Sequence, residues 1–254
     1  MPFFTAIEFL TRIRLRRTAP ADLDAIARSQ AWFAIVGLAI GGLLVAIDRL
    51  AIKALPATSV DVLLVVALAA ITGALHLDGL ADAADGLFGG RDPAHRLEIM
   101  HDVHAGSFAI VAIAGVLALK WAGLAALQAN VRVETLLLAP CVARFAMVVT
   151  IAAFPYARAE GMGTTFHERA WPLALAACAT TALIAGVVLL GPGGLFVVAF
   201  AAACALAFGA YATRLVGGMT GDLYGASVEI TEAATLLFVA ALANRGWIDA
   251  WVLR

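Results

Sequence analysis

Apolar and polar residues come in long blocks along this chain rather than alternating at short range. Ala31–Ile47 carries no charge, and Val62–Leu77, Ser107–Ala129 and Thr135–Phe154 are comparably apolar. Ala170 to Thr213 is wholly uncharged, and Gly191-Pro192-Gly193-Gly194 breaks it into two. A last apolar block runs from Ala226 to Asn244. A helix needs about 20 apolar residues to cross a bilayer, so the pattern predicts seven spans. Val62–Leu77 is short for a crossing, so a polar helix is expected to begin near its end. Phe3, Phe4, Ile7, Phe9 and Leu10 precede Arg12, Arg14, Arg16 and Arg17. That segment is too short to span and predicts an interfacial helix with its arginines at the headgroups. The expected fold is an all-α polytopic membrane protein of about seven transmembrane helices plus an N-terminal interfacial helix. It forms one integral-membrane domain over 1–254, with residues 1–30 as its N-terminal segment.

Composition supports the class. Of 254 residues, 63% are hydrophobic and 14% charged, with a mean hydropathy of +0.95; soluble domains carry about a quarter charged residues. A net charge of −1 gives no reason to expect a nucleic-acid partner. Cys141, Cys178 and Cys204 lie in apolar runs and read as core residues. The basic cluster follows the apolar Met1–Leu10, the wrong order for a cleaved secretion signal.

Arginine placement sets an expected orientation. Arg12, Arg14, Arg16, Arg17 and Arg28 put the N-terminus in the cytoplasm. Seven spans then bring the loops 78–106, 155–170 and 214–225 to that same face, as a shared active site requires.

The first of those loops holds the chain's densest chemistry. His76–Gly90 carries Asp78, Asp82 and Asp85, spaced i, i+4, i+7. On a helix these fall within roughly a 60° arc. Carboxylates that close repel one another, and a hard divalent cation, Mg²⁺ or Mn²⁺, is the usual compensation, often shared with substrate phosphate. Asp78, Asp82 and Asp85 are therefore candidate metal ligands, with Asp222 of the third loop expected to complete their site as a further ligand or as a base. Asp102, near the end of the same loop, is a candidate for the metal site or for a base. In the third loop, Gly217, Gly218 and Gly221 flank Asp222, and flexible glycines there suit backbone N–H contacts to phosphate; an ordinary bend has the same composition. Glu229 and Glu232 sit one turn apart at the start of an apolar helix, where acids are costly and usually functional. Arg144, inside a span, is expected to meet a phosphate or an aspartate, and Arg158 to clamp a phosphate. Lys120 is expected to snorkel. His101 and His104 are too weak a pattern, with no cysteine near, to predict zinc. Together these elements suggest metal-assisted transfer at a phosphate or pyrophosphate.

The blocks Phe9-Leu10-Thr11-Arg12, His76-Leu77-Asp78-Gly79-Leu80-Ala81-Asp82 with Asp85-Gly86, and Glu98-Ile99-Met100 with Asp102 and Gly106 follow one another in order. Arg144, Tyr156-Ala157-Arg158 with Glu160-Gly161-Met162-Gly163, and Gly217-Gly218 with Thr220-Gly221-Asp222, Gly225-Ala226 and Glu229 complete the set. In this order the chain resembles the cobalamin synthase family, the adenosylcobinamide-GDP ribazoletransferases. The resemblance implies a multi-pass enzyme of the bacterial inner membrane acting on adenosylcobinamide-GDP and α-ribazole or its 5′-phosphate. It implies Mg²⁺, catalytic roles for Asp82, Asp102, Asp222 and Glu229, and phosphate binding by Arg12, Arg144 and Arg158. The expected partners are these substrates and the lipid bilayer, with a homo-oligomer or other corrinoid-pathway enzymes as further candidates. His101 and His104 stand where the family is commonly basic, and the Pro-Val-Pro that follows its early arginine is absent here. Two rivals fit less well. A CDP-alcohol phosphotransferase needs Asp-Gly-x-x-Ala-Arg, which is missing. An ion-coupled transporter needs mid-membrane acids on paired broken helices, whereas these acids are expected at span ends.

Overall fold

The computed structural model describes residues 1–15, 23–158 and 172–251. Helix α1 (Pro2–Leu10) is the short N-terminal helix. It docks on the protein: Ala6 and Leu10 are fully buried, Phe9 stacks on Phe33 at 5.7 Å, and Phe3 meets Trp32 edge-on at 5.2 Å. Arg16 and Arg17 lie outside the described residues. Helix α2 (Leu23–Ser29) leads through a short turn, Gln30–Trp32, into α3 (Phe33–Ala51). Then follow α4 (Ala57–Thr72), α5 (Leu75–Gly89), α6 (Pro93–Ile99), α7 (Ser107–Ala126) and α8 (Ala129–Ala153). The last three are α9 (Pro172–Leu190), α10 (Gly193–Val216) and α11 (Gly221–Asn244).

Among the described residues six helical stretches are long and apolar enough to cross a membrane: Ala25–Ala51, which joins α2 to α3, and α7 to α11. A seventh arises from α4 with α5, which are bent by 91° to each other. The sequence expectation of a short second span followed by a separate acidic helix holds, and its cause is local. Gly73 ends α4 at φ +64, and Ala74 follows in the same left-handed region at φ +56, a conformation that only glycine adopts cheaply. Two such residues in succession turn the chain sharply. We read α4 as the span and α5 as a helix lying across the end of the bundle, outside the spanning segments.

Helices α8 and α11 are the most enclosed spans, and the others pack around them. Glycines set the closest approaches. A Cβ on Gly37 or Gly41 of α3 would stand 2.5–2.6 Å from the α8 backbone at Pro140–Cys141 and Leu136–Leu137. Gly37 and Gly41 are four apart, the small-xxx-small spacing that lets membrane helices touch. At one end of the bundle Arg132 Nη2 ties α8 to Asp48 of α3 at 2.8 Å and to Asp61 of α4 at 2.7 Å. Nearby, Gln128 bonds Asn244 and Asn130 bonds Asp249. The opposite end gathers the N-terminal strand of chain after α1, helix α5, residues 155–158 and the turn before α11.

Candidate active site

Helix α5 places Asp78, Asp82 and Asp85 on one face, as their spacing predicts. What faces them is the first turn of α11. A Cβ on Gly79 would meet the Asp222 carbonyl oxygen at 2.8 Å, and one on Gly225 would meet the His76 backbone at 3.3 Å. These two glycines let the helices cross almost backbone to backbone, which carries Asp222 to the acidic face of α5. Residues 214–225 are therefore less of a loop than their composition suggests. Helix α10 runs on to Val216, and Thr220 restarts the chain by capping α11, its hydroxyl accepting the Leu223 N–H at 3.2 Å. Asp222 then sits in the first helical turn, where an acid is favoured by the exposed N–H groups.

The linking turn is braced by 155–157. Met219 N–H donates to Pro155 O at 2.7 Å and Ala157 N–H to Met219 O at 2.8 Å. Gly218 is required there, since a Cβ would stand 2.6 Å from the Pro155 oxygen, and Gly217 supplies φ +84. A Cβ on Gly221 would meet open space. The brace delivers Arg158, whose Nη2 stands 3.1 Å from Asp222 Oδ2. Its Nε and Nη2 make no hydrogen bond among the described residues, so the ion pair leaves donors free for another anion. Glu160 to Gly163 lie outside the described residues. Arg12 reaches the same end: its N–H donates to Ile71 O at 2.8 Å. With Thr72, Gly73 and Asp78 it lines a cleft of about 410 Å³.

Asp82 reports the electrostatics. Its carboxyl is pushed from an ordinary 3.8 up to about 6, by partial burial first, then by Asp222, Asp78 and Asp85, with Arg158 opposing. Asp85 differs from its neighbours. It is buried, and its two oxygens accept the N–H groups of Gly106 at 2.6 Å and Ala109 at 3.0 Å. It caps the N-terminus of α7 from another helix, a role its place in the comb does not suggest. Asp102 is exposed and turned to its own loop, with its Oδ1 2.7 Å from His104 Nδ1. That contact holds its carboxyl below the usual range. It is not among the groups acting on Asp82.

Glu229 and Arg144 are also not at this face. Glu229 and Glu232 lie two and three turns inside α11, fully buried, so the expectation of acids only at span ends fails for them. Lys120 Nζ is 2.7 Å from both Glu229 Oε2 and Glu232 Oε2, and Arg144 Nη1 is 2.7 Å from Glu232 Oε1. Lys120 does not snorkel; only 2% of it is exposed, because two carboxylates within the bundle hold it more favourably than the interface would. Arg144 is wholly enclosed and meets a glutamate rather than a phosphate or an aspartate. His76, buried on the inward face of α5 with both ring nitrogens unbonded among the described residues, lies beside this cluster. The sequence flags Glu232 only together with Glu229, as a costly acid in a span, and gives His76 no role. The one-turn spacing of the two acids inside an apolar helix was the signal available for Glu232; its pairing with Lys120 and Arg144 was not.

Among the described residues no group of three or more His, Cys, Asp or Glu side chains converges as a ready metal cage. Asp78, Asp82 and Asp222 nonetheless suit Mg²⁺. That ion commonly takes one or two carboxylates and completes its shell with water and substrate phosphate, and Asp82 shows the unrelieved negative charge such an ion removes. The arrangement as a whole offers hard oxygen donors, a partly free guanidinium and an open glycine face, which is an equipment for phosphate chemistry.

Comparison with known proteins gives the same direction. Residues 2–240 match the family model described as cobalamin-5-phosphate synthase. An adenosylcobinamide-GDP ribazoletransferase of Syntrophobacter fumaroxidans is 40% identical over 94% of this chain and 98% of its own. Proteins of that name from Geotalea daltonii, 36% identical over 96% and 98% of the two chains, and Roseiflexus sp., 37% identical over 92% and 87%, are similar. No solved structure matches. With a family model covering nearly its whole length and relatives of this identity aligned end to end, the chain belongs to the cobalamin-5-phosphate synthase family.

Proposed function

We propose that this protein is an adenosylcobinamide-GDP ribazoletransferase that makes adenosylcobalamin, or its 5′-phosphate, at the bacterial inner membrane. A hydroxyl of α-ribazole, or of α-ribazole 5′-phosphate, attacks the phosphorus esterified to cobinamide. The bond from that phosphorus to the bridging oxygen of the pyrophosphate breaks, and GMP leaves with the bond's electron pair. The hydroxyl proton passes to a carboxylate of the site. The observation that carries this reading is the crossing of α5 and α11, which sets Asp82 against Asp222, with Arg158 beside them.

Asp78, Asp82 and Asp222 would hold Mg²⁺, with Mn²⁺ able to replace it. These carboxylates would hold the ion where it would supply charge neutralisation to the pyrophosphate and to the leaving GMP oxygen. Asp85 is left out of that set because both its oxygens are already taken by backbone N–H groups. Arg158 has donors to spare and binds a phosphate oxygen. Arg12, across the cleft by Asp78, offers a second cationic contact to the pyrophosphate. The Gly221 N–H, in the open first turn of α11, would be available to the transferred phosphate, whereas the Gly217 and Met219 N–H groups are already held by Thr213 O and Pro155 O. Asp102, joined to His104, lies on a separate exposed stretch and meets the large corrinoid rather than the reacting phosphorus.

The N-terminus faces the cytoplasm in this reading. Reporters fused after Gly90 and Gly221 are expected to read cytoplasmic, and those after Ala54 and Gly193 periplasmic; opposite sides for Gly90 and Gly221 would dissolve the single site. The activity itself is tested by incubating purified protein with adenosylcobinamide-GDP, α-ribazole and Mg²⁺. GMP should appear in step with the corrinoid product, and its absence under conditions where the protein is folded overturns the assignment.

A further inference from the structure

The acidic helix has a second face. Positions 80, 84 and 87 of α5 point opposite to positions 78, 82 and 85 at about 100° per residue. Leu80, Ala84 and Leu87 line a groove of about 470 Å³ between α5, α7, α10 and α11. Among the described residues its lining is apolar throughout, and the Tyr211 hydroxyl is the one polar side-chain group in it. Gly115 of α7 lies on its wall, and a Cβ there would meet nothing within 4 Å. The groove is therefore real space, not a packing seam. Its rim continues into exposed apolar side chains, Val111 at 70% and Phe88 at 57% exposure, so it opens sideways toward lipid rather than up toward the acids.

What fits this space is marked at its upper edge. Tyr211 and Arg214, both exposed, are three apart on α10 and so share a face. They fall in the last turns of a span that ends at Val216, the depth where tyrosine and arginine meet headgroups. Arg214 makes no ion pair or hydrogen bond among the described residues. An apolar slot in a spanning segment, topped by a tyrosine hydroxyl and a free guanidinium, matches an amphiphile with a phosphate head.

We propose that this groove binds a membrane phospholipid, with one acyl chain lying behind α5 and its phosphate held by Arg214 and Tyr211. The acyl chain forms the floor on which the acidic helix rests, so the bound lipid supports the geometry of α5 without touching the reacting groups. Burial of a chain in such a slot gains little relative to bilayer hydrocarbon, which is as apolar as the slot. The head contacts and the fit therefore decide retention.

The test is lipid retention through purification. The full-length protein is extracted in a mild detergent, washed, and examined by native mass spectrometry and lipid extraction. The parent should keep a phospholipid. Gly115→Leu, which fills the slot from a position with room for it, should abolish retention while eluting as a folded protein. Arg214→Gln, an exposed change on which folding does not depend, should lower retention several-fold. Added phosphatidylglycerol should raise the melting temperature of the parent and not of Gly115→Leu. Equal retention by parent and both variants overturns the site. So does a Gly115→Leu protein that keeps its phospholipid but has a raised KM for the corrinoid substrate, which would give the groove to an apolar part of that substrate.

Discussion

Helix α11 carries two groups of acids, and the structure treats them in opposite ways. At its first turn Asp222 faces Asp78 and Asp82, Arg158 is the cation that offsets Asp82 among the described residues, and the group is half-open to solvent. About 10 to 15 Å deeper, at 1.5 Å per residue, Glu229 and Glu232 are enclosed with Lys120 and Arg144, two acids against two bases. The deep cluster is complete in itself. It costs desolvation, repays it with short charge-assisted contacts, and ties α7, α8 and α11 together inside the bilayer. The outer cluster is incomplete: its charge is unrelieved until something positive arrives. An acid in a span is costly in either setting, but only the unbalanced set is poised to bind.

The sharpest way to break this contrast is Asp82→Ala. With the central acid of the outer cluster removed, turnover should fall on the order of 10³-fold, about 4 kcal/mol of transition-state stabilisation, with the protein still folded by size-exclusion chromatography. GMP release measures it, and ordinary activity would remove the acidic helix from the chemistry.

Glu232→Gln attacks the other cluster. It leaves Arg144 unpaired and Lys120 with one partner, a loss of about 3 kcal/mol or more for a broken buried pair. The expected result is a lower melting temperature and a lower folded yield, with turnover per folded molecule largely kept. A stable but inactive Glu232→Gln protein would place the deep cluster in the reaction.

Asp222→Asn is expected to cost about 10- to 100-fold in turnover while keeping size and the helix start. Raised Mg²⁺ or added Mn²⁺ should restore part of that loss, as it would for a weakened ligand. Loss with no rescue at any Mg²⁺ concentration would make Asp222 the proton acceptor instead.

These two clusters also show where sequence reading succeeds. The seven apolar blocks, the break at Gly191–Gly194 and the i, i+4, i+7 spacing of the aspartates all rest on local periodicity, and all are found in the structure. Which acids are satisfied depends on contacts between helices. Lys120 and Glu229 are 109 residues apart and Arg144 and Glu232 are 88, so nothing local announces the pairing. Asp85 illustrates the same limit. Its spacing places it in the comb, yet the α7 N-terminus, 21 residues on, claims both of its oxygens. The same holds for Gly37, Gly41, Gly79 and Gly225, whose meaning lies in the helix each one faces.

The smallest expected effect concerns stability and pH, and it probes the imbalance directly. The Asp82 carboxyl ordinarily titrates near 3.8 and in the folded protein near 6. A carboxyl whose folded value is raised favours the folded state when protonated. That contribution is fully present below about pH 4 and is lost as pH rises through about 6. At pH 7 without a divalent cation, Asp82 is therefore a charge the fold holds at a cost. Asp82→Asn removes the charge and keeps the shape, so in chelator-treated samples it should melt a few degrees above the parent at pH 7. The gap should narrow between pH 6 and pH 4 and vanish below that. Mg²⁺ should raise the melting temperature of the parent at pH 7 and move the variant less, because the variant has lost the charge that the ion relieves. A variant that melts below the parent at pH 7 would mean that Asp82 is already compensated in the metal-free fold, and the two clusters would then not differ in kind.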